Sequence, residues 1–123
     1  MPDSGFVEIR FISLLHVRVL SPLDPDSRHQ EHVAKYLNAG HVINLTKIQI
    51  PNQFDATLPS ISYGYLTDGS WVWSTELAAY SALAPLSLPP EFVEHVLLQN
   101  ATMPNIDPTW LEFLRRVHRG EPV

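Results

Sequence analysis

The sequence predicts a single α+β domain in which an antiparallel sheet, with a hairpin at Asp68-Gly69, packs against about four helices. Segments with the two-residue period of β-strands occur both before and after a first amphipathic helix. Three more helical segments follow the last strand. The chain of 123 residues is also near the commonest size of one domain, so we expect one core.

The strands are predicted from alternation and from turn residues. Residues 6–20 alternate with apolar residues at odd positions, which predicts one long bent strand or two strands divided near Ser13-Leu14. Residues 41–50 are β-rich. Two aromatic and β-branched runs then flank Asp68-Gly69, which predicts a hairpin with a two-residue type I′ turn. Trp71 and Trp73 share one face of this hairpin, and we expect the following helices to cover them.

The helices are predicted from capping residues, prolines and apolar stripes. The first begins at Asp26 or Ser27 and ends near Asn38, with Gly40 as a left-handed stop. Three later helices are predicted: one from Ser74 or Thr75 to about Leu83, one opening at Pro89-Pro90, and one opening at Asp107-Pro108 and ending at Gly120.

Acidic residues are unevenly distributed along the chain, whose formal net charge is −5. Residues 1–47 hold equal numbers of acids and bases, whereas residues 48–114 hold seven acids and no Lys or Arg. Such a stretch repels phosphate, so we expect no nucleic-acid ligand there. It suits a basic protein partner and would speed encounter with one.

No motif in the sequence specifies a reaction, and we expect no catalytic residue, metal site or cofactor. The chain has no cysteine, so disulfides, thiolate zinc sites and a cysteine nucleophile are excluded. His29 and His32 lie three residues apart on the first predicted helix, and Glu91 and His95 form an i, i+4 pair on a later one. A small enzyme or a ligand- or metal-binding domain that uses His29 and His32 therefore remains an alternative, as does a structural protein-interaction module.

Part of the sequence resembles a family of small bacterial proteins. The segments that carry this resemblance are Tyr-Leu-Asn-Ala-Gly at 36–40, Thr-Asp-Gly-Ser-Trp-Val-Trp at 67–73, Leu-Ala-Ala-Tyr at 77–80 and Leu-Pro-Pro-Glu-Phe-Val-Glu-His at 88–95. They are similar to the pattern Y-L-x-x-G, T-D-G-x-W-x-W, L-A-x-Y and L-P-x-E-F-x-x-H. Ser74 stands where the family often has proline. The resemblance implies an immunity protein of an interbacterial toxin system, and it transfers no catalytic residue.

The leading hypothesis is therefore a non-enzymatic immunity protein that binds and neutralises a cognate toxin domain, which would be basic. The contacts predicted for this partner are Asp55, Tyr63, Tyr65, Asp68, Glu76, Glu91 and Glu94. Asp68 is included because the tip of a hairpin is usually exposed. The N-terminus lacks a signal-peptide pattern and no apolar run approaches the ~20 residues of a membrane span, so we expect a cytoplasmic location. The sequence does not indicate which oligomeric state the chain adopts.

Overall fold

The computed structural model describes residues 9–21 and 23–119, and only the backbone of His16. Two 3-10 helices, Leu14–His16 and Pro25–His29, lie in the first quarter of the chain. The strands and α-helices in chain order are β1 (Arg10–Phe11), α1 (Gln30–Asn38), β2 (His41–Ile50), β3 (Ile61–Thr67), β4 (Trp71–Ser74), α2 (Thr75–Ser81), α3 (Pro90–Leu98) and α4 (Pro108–His118). The predicted α+β class is confirmed, with four helices against one sheet.

The sheet has the strand order β1-β4-β3-β2. The pairs β2–β3 and β3–β4 are antiparallel, as expected, whereas β1 pairs with β4 in parallel. A whole helix and two strands separate β1 from β4 in sequence, so no hairpin forces an antiparallel pairing there. The sheet is therefore mixed and mostly antiparallel.

The two faces of the sheet carry different helices. Trp71 and Trp73 point to one face, where their rings lie 5.2 and 5.6 Å from the ring of Phe92 in α3. The buried core on this side also includes Tyr36 and Leu37 of α1. The expectation that helices cover the tryptophans is confirmed. On the opposite face, Arg115 of α4 donates two hydrogen bonds to the carbonyl of Val42, which holds α4 against β2.

The prediction for residues 6–20 is wrong beyond the first strand, and residues 6–8 lie outside the described part. Only Arg10–Phe11 forms a strand, and a 3-10 helix divides the segment at the predicted place. Phe11 and Leu15 are 65% and 92% exposed while Ile12 is 6% exposed, so the buried positions are not the odd ones. Alternation gave the wrong face because Arg10 covers the ring of Trp71, with its guanidinium carbon 4.3 Å from the ring centroid.

The hairpin is confirmed, but its turn is not of type I′. Gly69 has φ of +99°, whereas the non-glycine residues with positive φ in the described segments are Asn100 and Ala101, so Asp68 is not among them. Three residues separate Thr67 from Trp71, and the Asp68 carboxylate accepts hydrogen bonds from the backbone N–H groups of Ser70 and Trp71. These hydrogen bonds from the side chain close the turn with a positive φ at Gly69, whereas a type I′ turn needs a positive φ at both of its central residues.

The limits of the first helix also differ from expectation. The segment begins as the 3-10 helix Pro25–His29, capped by Asp24, and becomes α-helical at Gln30. Gly40 is not left-handed: in the described residues, the glycine with positive φ is Gly69. Gly40 is instead required by packing, because a Cβ there would lie 2.7 Å from Cζ2 of the buried Trp73. The caps predicted at Ser74 and Asp107 are present, and Gly120 lies outside the described residues.

Candidate functional site

Asp68 is the centre of a buried polar network. Its side chain is fully buried, and one carboxylate oxygen accepts the two backbone hydrogen bonds of the turn. The other oxygen, Oδ2, accepts a 2.6 Å hydrogen bond from the Tyr36 hydroxyl and lies 2.8 Å from His95 Nε2. All the polar capacity of the carboxylate is thereby used, which is what makes its burial tolerable.

The network joins three elements that are distant in sequence. Tyr36 comes from the buried face of α1, Asp68 from the β3–β4 turn and His95 from α3. Gln99, which follows α3, places its side-chain nitrogen 2.9 Å from His95 Nε2 and 3.3 Å from the Tyr36 hydroxyl. Burial, together with the hydrogen bond and negative charge of Asp68, raises the pKa of Tyr36 well above its ordinary value. Tyr36 is therefore a neutral hydrogen-bond donor here.

A buried carboxylate bonded to a histidine is also an arrangement that general bases use. His95 Nε2 lies 2.8 Å from the Asp68 carboxylate, and the side chain of His95 is 28% exposed. In the part of the chain that the structure describes, no hydroxyl is hydrogen-bonded to Nδ1, and His95 does not line the cleft between α1 and α3 described below. The network connects α1, the hairpin and α3.

The predicted contact residue Asp68 is consequently not at an exposed tip. It is 4% exposed, because the turn folds its carboxylate inward to Tyr36 and His95. His95, which lies four residues after Glu91 on α3, is paired with Asp68. Sequence spacing could not reveal either outcome, because each depends on a contact between remote segments.

The remaining predicted acidic contacts are at the surface or close to it. Glu91 and Glu94 are exposed on α3, and Asp55 is exposed in the loop after β2. Hydrogen bonds from the Thr57 hydroxyl and backbone lower the pKa of Asp55 below its usual value. Glu76 is half-buried and accepts a 2.9 Å hydrogen bond from the Tyr80 hydroxyl, so it is less available to a partner.

Tyr63 and Tyr65 form a half-buried pair on the other face of the sheet. Their hydroxyls lie 2.9 Å apart, and their rings meet edge to face. The ring of Tyr65 also lies 4.8 Å from the ring of His118 in α4. The pairing of Tyr65 with Ser74, one position from the Leu66–Trp73 pair, places the tyrosines opposite the tryptophan face. The seven predicted contacts therefore do not form one surface.

A cleft of about 500 Å³ lies on the tryptophan side of the sheet, between α1, α3 and the segment that connects α2 to α3. Its walls are mainly apolar, with Val33 from α1 and Val93, Leu97 and Leu98 from α3. Glu94 is the one predicted contact among its lining residues. Phe92 and Val96 of α3 are buried against the core, whereas Val93 and Leu97 of the same helix line the cleft.

The two histidines considered for metal binding, His29 and His32, have different surroundings. His29 ends the second 3-10 helix, lines the cleft and accepts a 3.2 Å hydrogen bond from the Arg28 guanidinium, while His32 is exposed on α1. Within residues 9–21 and 23–119, no group of three or more histidine or acidic side chains is placed to hold a metal ion. No helix in these ranges is long and apolar enough to cross a membrane.

Comparison with known proteins adds no assignment. No family model matches the chain, and no curated protein or solved structure with significant similarity is found.

Proposed function

We propose that this chain is an immunity protein, which binds a cognate toxin domain of basic surface and blocks it. The observation that carries the proposal is the exposure of most acids in the stretch that has no bases. Of its seven acidic residues, five are exposed: Asp55, Glu91, Glu94, Asp107 and Glu112. The resemblance to immunity proteins supports the same function.

Helix α3 is the best-placed part of this acidic surface. Glu91 and Glu94 are one turn apart and exposed on the same helix, and neither has an ion-pair partner among the described residues. Glu112, in contrast, lies 3.7 and 3.5 Å from the guanidinium groups of Arg116 and Arg119, so its charge is partly compensated. Unpaired surface carboxylates are free to steer a basic partner and to pair with it on contact.

Neutralisation by such a surface needs no catalytic group in the immunity protein. A toxin domain that acts on an anionic substrate presents lysine and arginine in its cleft, and an acidic protein seated there excludes the substrate. The buried network of Tyr36, Asp68 and His95 would then hold α3 in position against the sheet, so that its two glutamates are presented on a rigid element.

Growth rescue tests this proposal. The chain is co-expressed in a bacterial host with the toxin domain encoded beside its own gene. Restored growth and co-purification of a stable complex are expected. Glu91→Lys should weaken rescue, whereas Glu31→Lys should not; Glu31 is an equally exposed helical glutamate outside the acidic stretch, so the change in net charge is matched. Continued growth arrest beside the native chain would overturn the proposal, and equal rescue by both variants would remove its electrostatic basis.

A further inference from the structure

The cleft between α1 and α3 has the dimensions of a binding site. Its volume of about 500 Å³ lies within the range of roughly 300–1,000 Å³ that is typical of ligand-binding clefts. The apolar walls are partly open to solvent: Leu97 and Leu98, which line the cleft at the end of α3, are 38% and 76% exposed. Leu83, next to the lining residue Ala84, is 45% exposed. A cleft of this volume with exposed leucines on and beside its walls is a candidate interaction site.

The charged residues of the cleft favour an occupant with a positive charge. Asp26 and Glu94 are among the lining residues, which include no Lys or Arg. Neither carboxylate has an ion-pair partner in the described segments. His29, another lining residue, accepts a hydrogen bond from the Arg28 guanidinium, so Nε2 of this histidine is already engaged. An occupant with an apolar body and a cationic group would satisfy both the walls and the carboxylates.

We propose that this cleft receives an apolar segment of the toxin partner that carries a lysine or arginine side chain. The cationic group pairs with Glu94 and Asp26 while the apolar side chains pack against Val93 and Leu97. A protein segment fits better than a small molecule because exposed leucines extend past the cleft, where only a longer occupant would cover them. The inference rests on the proposed function and adds to it the site and the chemistry of the contact.

A pair of designed peptides tests the chemistry directly on the free protein. One is a short helical peptide of leucine and lysine, and the other has every lysine replaced by glutamate. Backbone amide shifts in NMR spectra report where each peptide binds. The lysine peptide should bind saturably, shift the amides of Val33, Val93 and Leu97, and bind at least about tenfold more tightly than the glutamate peptide. Equal binding of the two peptides, or shifts confined to other surfaces, would overturn the proposal.

Matched glutamine variants separate the cleft from general acidity. Glu94→Gln should weaken the lysine peptide several-fold, whereas Glu31→Gln, which removes the same charge from an exposed helical residue outside the cleft lining, should leave its affinity unchanged. Leu97→Lys should abolish binding by placing a cation in the cleft, and Ala84→Phe should do so by filling it. Thermal unfolding checks that these variants are folded. Equal losses in the two glutamine variants would show that binding follows net charge, which contradicts a specific cleft.

A small amphiphile and the toxin itself distinguish the remaining outcomes. If n-octylamine binds in the cleft while the lysine peptide does not, the cleft takes a small ligand and the proposal of a partner segment is wrong. If Leu97→Lys loses the peptide but still rescues growth as well as the native chain, the cleft is not the toxin contact although the proposed function stands. If the peptide binds as expected but the toxin is not bound, the proposed function fails and the cleft belongs to another partner.

Discussion

Replacing Asp68 with alanine should destabilise the protein more than any other change to an acidic side chain. The substitution removes the acceptor for the Tyr36 hydroxyl, for His95 Nε2 and for the backbone N–H groups of Ser70 and Trp71. Tyr36 is fully buried and Trp71 is 5% exposed, so water would not readily replace the lost acceptor at either.

The magnitude follows from these unsatisfied groups. Each buried donor left without a partner costs about 1–3 kcal/mol. Ser70 is exposed and can bond to water, whereas the Tyr36 hydroxyl and the Trp71 N–H lose their acceptor inside the protein, because Gln99 only donates to Tyr36. From these two buried donors we expect Asp68→Ala to lower the free energy of unfolding by about 2–6 kcal/mol, a large share of the ~5–15 kcal/mol of a typical domain.

Urea unfolding followed by tryptophan fluorescence measures this loss. The midpoint should fall by roughly 1–3 M if the slope is about 2 kcal/mol per molar, the middle of the usual range. Asp55→Ala is the control, because Asp55 is exposed and bonds only within its own loop, and its midpoint should hardly change. In a double-mutant cycle, Asp68→Ala and Tyr36→Phe should be strongly non-additive. Equal midpoints for the Asp68 and Asp55 variants would refute the claim that the network stabilises the fold.

Three further predictions concern single groups. Burial and Asp68 raise the pKa of Tyr36, so above about pH 10 the unfolded chain releases a proton that the folded chain retains. The free energy of unfolding should therefore fall by up to about 1.4 kcal/mol per pH unit because of this group. In urea unfolding at rising pH, Tyr36→Phe should show a shallower decline than the native chain. Gly40→Ala should cost about 1–3 kcal/mol in the same assay, because the new Cβ would lie 2.7 Å from the buried Trp73 ring, and an unchanged midpoint would contradict the close packing. Thr57→Ala should raise the pKa of Asp55 toward its ordinary value in an NMR titration of the carboxyl group, since the hydroxyl that lowers it is lost.

Local patterns predicted the elements whose determinants lie close together in sequence. The cap at Ser74, the Asp107-Pro108 helix start and the Asp68-Gly69 hairpin each depend on a few adjacent residues, and all three are present. The burial of Trp71 and Trp73 followed from the helices that come after them.

Features that depend on remote contacts could not be predicted. Tyr36, Asp68 and His95 are separated by 32 and 27 residues along the chain, and nothing in their local sequence shows that they meet. The dipeptide Asp68-Gly69 is typical of an exposed turn, yet the Asp68 side chain points inward and contacts Tyr36 and His95. The parallel pairing of β1 with β4 is equally non-local, and its register places Arg10 beside Trp71, on the tryptophan face.

The cleft was missed for a related reason. The stripe on α3 correctly predicted an apolar face, and Phe92 and Val96 are buried as such a stripe requires. The path of the connection from α2 to α3 sets how much of that face is covered. This connection, residues 82–89, holds two prolines and several small residues and has no regular pattern. Val93, Leu97 and Leu98 are left along the open side.

The association rate with the toxin domain tests the central claim, that the acidic surface of α3 recruits a basic partner. The rate is measured for the native chain and for Glu91→Lys/Glu94→Lys as salt rises from about 50 to about 300 mM, a range over which exposed charges become strongly screened. The account predicts that the native rate falls by about tenfold or more with salt, and that the double variant associates more slowly at low salt and depends less on it. Identical rates and salt dependence for the two proteins would contradict it.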